Sequence, residues 1–220
     1  MTTTGNQSKF IDISQSLRPS IPVWPGDTQY HAQSTWHIDE QCPVNVSLFQ
    51  CSTHTGSHAD APFHYDPEGL AISDVSVDTY IGPCQLIDLS NCVFNNKTID
   101  LSVCQHLIDV SQPVIERVLF KTYQAFPAET WDDDFISLHF EVIEWLASYG
   151  CRLVGIDSPS LDHQTSKTLD AHNAIKRHNM AILEGLVFDE VSAGEYQLIA
   201  PPLKLAGLDS SPVRALLQSL

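Results

Sequence analysis

The sequence predicts one strand-rich domain with few helices, and three observations support this prediction. The chain has 220 residues, the length of one ordinary domain, and 43% of them are hydrophobic, which is enough for a substantial core. Short apolar runs bounded by turn residues recur along the chain, a pattern typical of strands. Thirteen prolines and a turn-rich N-terminal part favour long loops over a doubly wound sheet. We therefore expect a single domain covering residues 1–220.

The individual elements follow from periodicity and from end signals. Apolar residues at helical spacing predict a helix over 141–149, and Gly150 after it is a good C-terminal cap. A second helix is predicted over 170–178, with Asp170 as its candidate N-cap. Six short apolar segments are predicted to be strands: 10–13, 46–49, 84–87, 118–120, 153–156 and 196–199.

Charge and cysteine content exclude several classes of function. A formal net charge of -16 disfavours nucleic acids and anionic membranes as partners, because both require clustered Lys and Arg. The sequence contains no basic leader followed by an apolar run and no stretch of membrane-spanning length, so we expect a cytoplasmic protein. The six cysteines form no CxxC pair and are expected to be reduced. The acidic run at 132–134 is interpreted as a solvated loop before a helix.

Four side chains that can bind metal or transfer protons lie within eleven residues: His54, His58, Asp60 and His64. All four positions are even, so these side chains would share one face of an extended backbone. Gly56 and Pro62 favour instead an irregular, loop-like segment. The spacing therefore indicates a shared pocket without requiring a strand.

The residue types in this first cluster indicate metal chemistry. Imidazole and carboxylate groups together suit zinc or another divalent transition metal, and sites without thiolate are more often catalytic than structural. His54, His58 and Asp60 are the natural ligands, and the two oxygens of Asp60 could bridge two metals. His64 then remains free to act as an acid or base. The alternative is a polar surface loop with ordinary histidines.

A second cluster is predicted near the helix at 170–178. Glu184 interrupts an otherwise apolar stretch, and a buried carboxylate needs a cation or hydrogen-bond donors to remain charged. His172 and Glu184 are therefore candidates for the remaining metal ligands. His178 lies six residues after His172, about 240° around a helix, and is expected to face elsewhere.

These residues carry a resemblance to a known family. The segment 54–64 resembles the HxGTHxDxPxH signature of the cyclase family of metal-dependent hydrolases. The segments 158–190 and 22–27 (PVWPGD) are similar, more narrowly, to those of bacterial kynurenine formamidases, also called arylformamidases. Together the three segments span nearly the whole chain.

The resemblance implies a fold, an activity and a residue for each role. The implied fold is an α/β domain with a central barrel-like β-sheet and flanking helices, of the swivelling β/β/α type, assembled as a homodimer. The implied reaction is hydrolysis of N-formyl-L-kynurenine to L-kynurenine and formate in tryptophan degradation. It implies two zinc ions per subunit, with manganese or cobalt as alternatives. The implied residues are His54, His58 and Asp60 for one metal, Asp60, His172 and Glu184 for the other, His64 for proton transfer and Trp24 for the substrate pocket.

The chain departs from the family pattern at two positions. Ser57 replaces the usual threonine and keeps the hydroxyl group, while His163 stands where relatives tend to have proline and adds an imidazole near the second cluster. Two other functions remain open. One is a sibling hydrolase with the same metals that acts on another amide, lactam or ester. The other is a non-catalytic metal-binding protein on the same scaffold.

Overall fold

The computed structural model describes residues 10–111 and 115–220. Within them the strands are β1 (Phe10–Asp12), β2 (His31–Trp36), β3 (Val46–Gln50), β4 (His58–Asp60), β5 (Ile81–Asp88), β6 (Thr98–Ile99), β7 (Arg117–Lys121), β8 (Ser137–Leu138), β9 (Leu153–Ile156), β10 (Ala181–Glu184), β11 (Gly194–Ile199), β12 (Ser210–Pro212) and β13 (Leu216–Ser219). The helices are α1 (Leu101–Leu107), α2 (Phe140–Ser148) and α3 (Asp170–His178). Short 3-10 helices lie at Pro62–His64, Val77–Tyr80 and Asn95–Lys97.

Nine of the described strands form one strongly curled sheet in the order β1-β13-β11-β5-β7-β9-β10-β4-β12. The strands β5, β7, β9 and β10 run parallel, and the flanking strands pair antiparallel. The pairs β2–β3 and β6–β8 stand apart from this sheet. The curled sheet with its helices confirms the predicted α/β fold with a barrel-like sheet.

The two faces of the central strands build two apolar cores. Val118 and Phe120 of β7 pack on the same side as α2 and α3, while Leu119 between them packs in the opposite core. This alternation follows from the two-residue period of a strand, and burial on both faces is typical of the centre of a parallel sheet. Full burial of each such side chain stabilises the fold by about 1.5–3 kcal/mol. The central strands are therefore a rigid base for the loops at their ends.

The predicted elements agree largely with the structure. All six predicted strands coincide with strands or lie mostly within them, α3 has the predicted bounds, and α2 begins and ends one residue earlier than predicted. Helix α1 was not predicted. Its N-cap residue is Asp100, whose side chain accepts a hydrogen bond from Val103 N at 3.2 Å. Strands β2, β4, β6, β8, β10, β12 and β13 were not predicted either. Beside β4, Gly56 and Pro62 indicated a loop.

The antiparallel ribbon β2–β3 (residues 31–50) is exposed along both strands. It nevertheless carries large apolar side chains, including Trp36, Leu48 and Phe49. Exposed apolar patches of this kind are uncommon on monomeric proteins.

Within the described ranges, no helix has both the length and the apolar character needed to cross a bilayer.

Candidate active site

Strand pairing brings the first cluster to the second. β4 runs antiparallel to β10, and the register places His58 opposite Glu184. His58 and Asp60 are two residues apart on β4, so their side chains lie on the same face. His58 Nε2 is 3.4 Å from Glu184 Oε2 and 3.5 Å from Asp60 Oδ1. The fold thus joins segments that lie far apart in the sequence.

His54 and His64 reach this site from outside the strand. His54 precedes β4 in a turn at Gly56, whose φ of +70° favours glycine, and a Cβ there would lie 2.8 Å from Leu17 Cδ2. His64 ends the 3-10 helix that follows β4. The ring centroids of His54 and His64 are 4.3 Å apart. The predicted alternation on one face therefore applies to His58 and Asp60 alone, and the turn and the 3-10 helix bring in the other two.

The carboxylate of Asp60 lies at the centre of the cluster. It is 1% exposed, and neither oxygen has a hydrogen-bond partner among the described residues. Its Oδ1 lies 3.0 Å from His54 Nδ1, and its Oδ2 lies 3.6 Å from His172 Nε2. A buried carboxylate without hydrogen bonds is costly unless a cation is close to it.

His172 and Glu184 close the cluster from the opposite side. His172 extends from α3, and its Nε2 lies 3.7 Å from Glu184 Oε1. Glu184 ends β10, where its Oε1 also accepts a hydrogen bond from Leu161 N at 2.8 Å. Both side chains are buried. The structure thus brings together all six residues that the sequence suggested for the metals and for proton transfer.

Asp162 orients His172, and the sequence analysis missed it. His172 Nδ1 lies 2.6 Å from Asp162 Oδ2, which directs Nε2 towards Asp60. The same carboxylate accepts hydrogen bonds from the backbone N–H groups of Ala171 and His172 in the first turn of α3. The predicted N-cap Asp170 is therefore wrong: Asp170 is inside the helix, its N-cap residue is Leu169, and Asp162 satisfies the free N–H groups from another loop.

Asp209 is a second carboxylate that the sequence analysis missed. Its Oδ2 lies 3.1 Å from His54 Nε2 and 3.6 Å from His64 Nδ1, and its Oδ1 accepts a hydrogen bond from Thr53. Asp209 immediately precedes β12, which pairs with β4. One carboxylate thus contacts both histidines that lie outside the strand.

The charges of the cluster shift its own pKa values. Burial lowers the pKa of His172, but the carboxylates of Asp162, Asp60 and Glu184 outweigh it and raise this pKa to about 10. Burial likewise lowers the pKa of His54, and Asp60 and Asp209 raise it to about 9. The pKa of Asp60 is raised by burial, yet the surrounding imidazoles hold it well below its usual range. The surrounding imidazoles therefore favour the ionised form of Asp60.

A cavity of about 340 Å³ opens onto the cluster. Its wall includes His54, His58, His64, His172 and Glu184. Aromatic rings line it as well: Trp24, Tyr123, Phe126 and Trp131. Trp24 lies in this wall, as the resemblance implied, and it packs edge-on against Trp131 with ring centroids 5.5 Å apart.

Three further sequence-based interpretations can be compared with this site. The run at 132–134 lies in a loop before α2, as interpreted, with Asp133 and Asp134 exposed, while Asp132 is half-buried, lines the cavity and accepts a hydrogen bond from the Tyr123 hydroxyl. His163 Nε2 lies 2.8 Å from the carbonyl oxygen of Asn96, away from the cavity wall. His178 is exposed and contacts Glu144 of α2, as the helical spacing predicted.

Comparison with known proteins assigns these features to a family. A family model described as putative cyclase matches residues 11–163, well over half of the chain. The chain belongs to the cyclase family. Within that family, the kynurenine formamidase of Maricaulis maris (strain MCS10) is 52% identical to it over 213 residues, which cover 97% of this chain and 99% of that protein.

Solved structures share the fold of this cyclase-family chain. One, described as a potential metal-dependent hydrolase with cyclase activity, has a TM-score of 0.79 and 29% identity, and the match covers 94% of this chain and 96% of that one. Isatin hydrolase A from Ralstonia solanacearum also has a TM-score of 0.79, at 22% identity, with 96% and 92% covered. At that identity the second comparison supports the fold only.

The cluster in this cyclase-family chain fits a divalent metal ion. Possible ligand atoms of His54, Asp60 and His64 lie within 4.8 Å of one another, and so do those of His58, Asp60 and Glu184. Asp60 belongs to both groups. Its carboxylate oxygens accept no hydrogen bond, and a metal ion would neutralise their negative charge. Imidazole and carboxylate donors without thiolate suit zinc, manganese or cobalt. His64 is a member of the first group, so the geometry is compatible with two roles for it, metal ligand and acid–base residue.

Proposed function

We propose that this protein is an arylformamidase that hydrolyses N-formyl-L-kynurenine to L-kynurenine and formate. The observation that carries the proposal is the buried Asp60 carboxylate, whose oxygens accept no hydrogen bond, with three imidazoles and Glu184 around it beside an aromatic cavity. The name of the Maricaulis maris relative, which matches over almost the whole length, supports this substrate. The reaction breaks the formyl C–N bond and adds water across it.

We assign two zinc ions to the cluster. His54, His58 and Asp60 would hold one, and Asp60 with His172 and Glu184 would hold the other; manganese or cobalt could replace zinc. A bound divalent ion would supply a Lewis acid and a water nucleophile of lowered pKa. Asp162 and the carbonyl of Gly56 fix the imidazole rings of His172 and His58 through their Nδ1 atoms. Both rings thereby present Nε2 to the site.

His64 would transfer the proton in this reaction. Its Nδ1 faces Asp209 at 3.6 Å, so we assign proton transfer to Nε2. The imidazole would take a proton from the attacking water and return it to the departing aniline nitrogen, which leaves as a neutral amine. A side chain that is 34% exposed at the cavity wall can exchange protons with solvent between turnovers.

Trp24 would hold the aryl ketone of the substrate. Its indole lines the cavity, and its edge-on packing against Trp131 and Phe135 fixes the ring plane. Stacking of an aryl group on such a ring contributes about 0.5–1.5 kcal/mol beyond the burial of area. This contribution favours aryl formamides over small aliphatic formamides.

We further propose a homodimer in which the β2–β3 ribbon contacts the second copy. The exposed Trp36, Leu48 and Phe49 would be covered in that interface, which would remove an apolar patch from solvent. Light scattering coupled to gel filtration should give twice the chain mass. The double variant Trp36→Ser, Phe49→Ser should then elute as a monomer, whereas a monomeric wild-type protein would contradict this proposal.

One experiment tests the activity and the metal assignment together. Metal analysis of the purified protein is combined with an absorbance assay on N-formyl-L-kynurenine, for the wild type and for Asp60→Asn. We expect bound zinc and turnover in the wild type and loss of both in the variant. Retained activity in metal-loaded Asp60→Asn would refute the assignment. A panel of other amides, lactams and esters separates the formamidase from a sibling hydrolase, and metal binding without turnover of any substrate would identify a non-catalytic protein.

A further inference from the structure

The cavity has a second chemical character beyond the metal-type cluster. Trp24 and Trp131 lie at an interplanar angle of 71°, and Phe135 packs against Trp24 with ring centroids 6.3 Å apart. Such an arrangement holds aromatic side chains in fixed orientations at the cavity wall. Aromatic faces carry negative charge density and attract organic cations within about 6 Å of the ring centre.

The cavity wall also contains a half-buried carboxylate. Asp132 follows Trp131 in the chain and lines the same cavity. Its Oδ2 accepts a hydrogen bond from the Tyr123 hydroxyl at 2.9 Å, and its Oδ1 accepts one from Asp134 N at 3.0 Å. Each carboxylate oxygen has two acceptor sites, so each retains one for a further donor. The Asp132 side chain is thus oriented by two donors and still able to bind another.

The Tyr123 side chain that orients Asp132 is itself attached to a backbone segment fixed by hydrogen bonds at the end of the buried sheet. Asp157, at the end of β9, accepts hydrogen bonds from the backbone N–H groups of Thr122 and Tyr123 at 2.7 and 3.0 Å. These bonds fix the chain immediately after β7, from which the Tyr123 side chain extends to Asp132. The position of the Asp132 carboxylate is therefore set by rigid elements.

Apart from the histidines of the metal-type cluster, the charged side chains of the cavity wall are all acidic. Across residues 10–111 and 115–220, the wall contains the carboxyl groups of Asp27, Asp132, Asp157 and Glu184 but no lysine or arginine. Outside that cluster, the wall offers an anion no basic side chain, whereas Asp132 offers a cationic group a charged partner. N-Formyl-L-kynurenine carries both kinds of group, an α-ammonium and an α-carboxylate, at the end remote from the formamide.

We propose that Asp132, with Trp24 and Trp131, forms a subsite that binds the α-ammonium group of the substrate. This inference rests on the proposed formamidase function and adds the feature by which the substrate is recognised. The ammonium donates a hydrogen bond to Asp132 and lies against the indole rings, while the α-carboxylate remains solvated. The protein therefore selects aryl formamides that carry a cationic amine and is indifferent to a carboxylate.

Four substrates and two variants test the subsite. The substrates are N-formyl-L-kynurenine, its decarboxylated analogue, which keeps the amine, and its deaminated analogue, which keeps the carboxylate. The variants are Asp132→Asn and the control Asp133→Asn, which makes the same charge change at an exposed position outside the cavity wall. Formanilide, which has neither group, reports on the metal site alone.

We expect the wild type to favour both amine-containing substrates over the deaminated one. Asp132→Asn should lower kcat/KM for the two amines by about 10- to 100-fold, as expected for loss of a charged hydrogen-bond partner. The deaminated substrate and formanilide should be unaffected, and Asp133→Asn should behave as the wild type. Equal losses for all substrates, or a requirement for the carboxylate instead of the amine, would overturn the subsite.

A binding measurement separates this inference from the proposed function. Calorimetric titration with L-kynurenine and with its deaminated analogue does not depend on turnover. Tighter binding of the amine by the wild type, lost in Asp132→Asn, supports the subsite even if N-formyl-L-kynurenine is not the substrate. Equal binding of the two compounds by the wild type overturns it, and this comparison stands even if the Asp132 variant were to lose stability.

Discussion

Asp162 Oδ2 lies 2.6 Å from His172 Nδ1, and the Asp162 side chain also accepts hydrogen bonds from the first turn of α3. A single carboxylate therefore sets both the position of the helix and the rotation of the imidazole that it carries. Fixing Nδ1 in this way leaves Nε2 directed at Asp60 and Glu184, whose oxygens lie 3.6 and 3.7 Å away.

The first prediction follows from this contact. Asp162→Asn keeps an oxygen that can cap α3 but removes the charge that holds the His172 ring. Metal affinity should fall by about 10- to 100-fold, as is typical for loss of a residue that orients a metal ligand. Competition with a chromophoric zinc chelator measures this change. The matched control is Asp170→Asn, inside the first turn of the same helix, which should leave the metal affinity unchanged. An equal loss of affinity in both variants would contradict a specific role for Asp162.

The second prediction separates the two roles open to His64. His64→Ala should lower kcat by about 10²- to 10⁴-fold, the usual contribution of a general acid–base group, with zinc content unchanged. His163→Ala removes an imidazole that contacts Asn96 instead of the cavity and should have full activity. Metal analysis on both variants decides the matter: if His64→Ala loses zinc in proportion to activity, His64 is a ligand.

The third prediction concerns stability at a site far from the cluster. Gly82 has a φ of +147°, and a Cβ there would lie 2.3 Å from Nη1 of Arg117, a fully buried side chain bonded to the carbonyl oxygens of Asp78, Thr79 and Pro83. Gly82→Ala should therefore lower the free energy of unfolding by about 2–4 kcal/mol. Urea denaturation measures this loss.

Gly207→Ala is the control for the Gly82 variant. Gly207 also has a positive φ, +73°, but a Cβ there would meet no atom within 4 Å. Its loss of stability should reflect backbone strain alone and be smaller, about 1 kcal/mol. Equal losses at the two positions would show that Arg117 moves aside without cost.

The fourth prediction concerns the pH dependence of stability. Burial raises the pKa of Asp157 to about 7, against the effect of the hydrogen bonds from Thr122 and Tyr123. Because the folded-state pKa lies above the unfolded value, the folded protein holds the proton more tightly, and stability falls as the pH rises through this interval. The stabilisation that comes from protonated Asp157 is fully present below the unfolded pKa of about 4 and is lost above about pH 7.

Asp157→Asn removes this titration. Urea denaturation at a series of pH values measures the difference in unfolding free energy between wild type and variant. Between about pH 4 and pH 7 this difference should change by a few kcal/mol in favour of the variant, because each pKa unit corresponds to about 1.4 kcal/mol. A difference that is independent of pH would show that Asp157 is ionised throughout.

Several parts of the site could be predicted because their signals are local. His58 and Asp60 share a face because they are two residues apart on a strand, and His178 points away from His172 because of helical geometry. Glu184 was recognised because a carboxylate within an apolar stretch requires a partner. The family signature at 54–64 added the expected ligand set, and the fold expected from that resemblance was confirmed.

Other parts had no local signal. Asp209 is 155 residues from His54, and Asp132 is nine residues from Tyr123 in a run of three acidic residues that look alike in sequence. Asp162 has no distinguishing signal in the sequence, and Asp170 satisfied the usual rule for an N-cap although the Asp162 side chain does the capping. Asp209, Asp132 and Asp162 each contact a side chain on a different element, and no pattern of neighbouring residues in the sequence marks those contacts.

The sequence by itself determined the residue types for metal binding, the main strands and helices, and the family, because periodicity, capping and a short signature depend on neighbours along the chain. Only the tertiary structure decided which carboxylates orient the histidines and which residue of the acidic run at 132–134 lines the cavity. The register of β4 against β10 and β12 and the position of α3 set those contacts, and that register results from packing of the whole sheet.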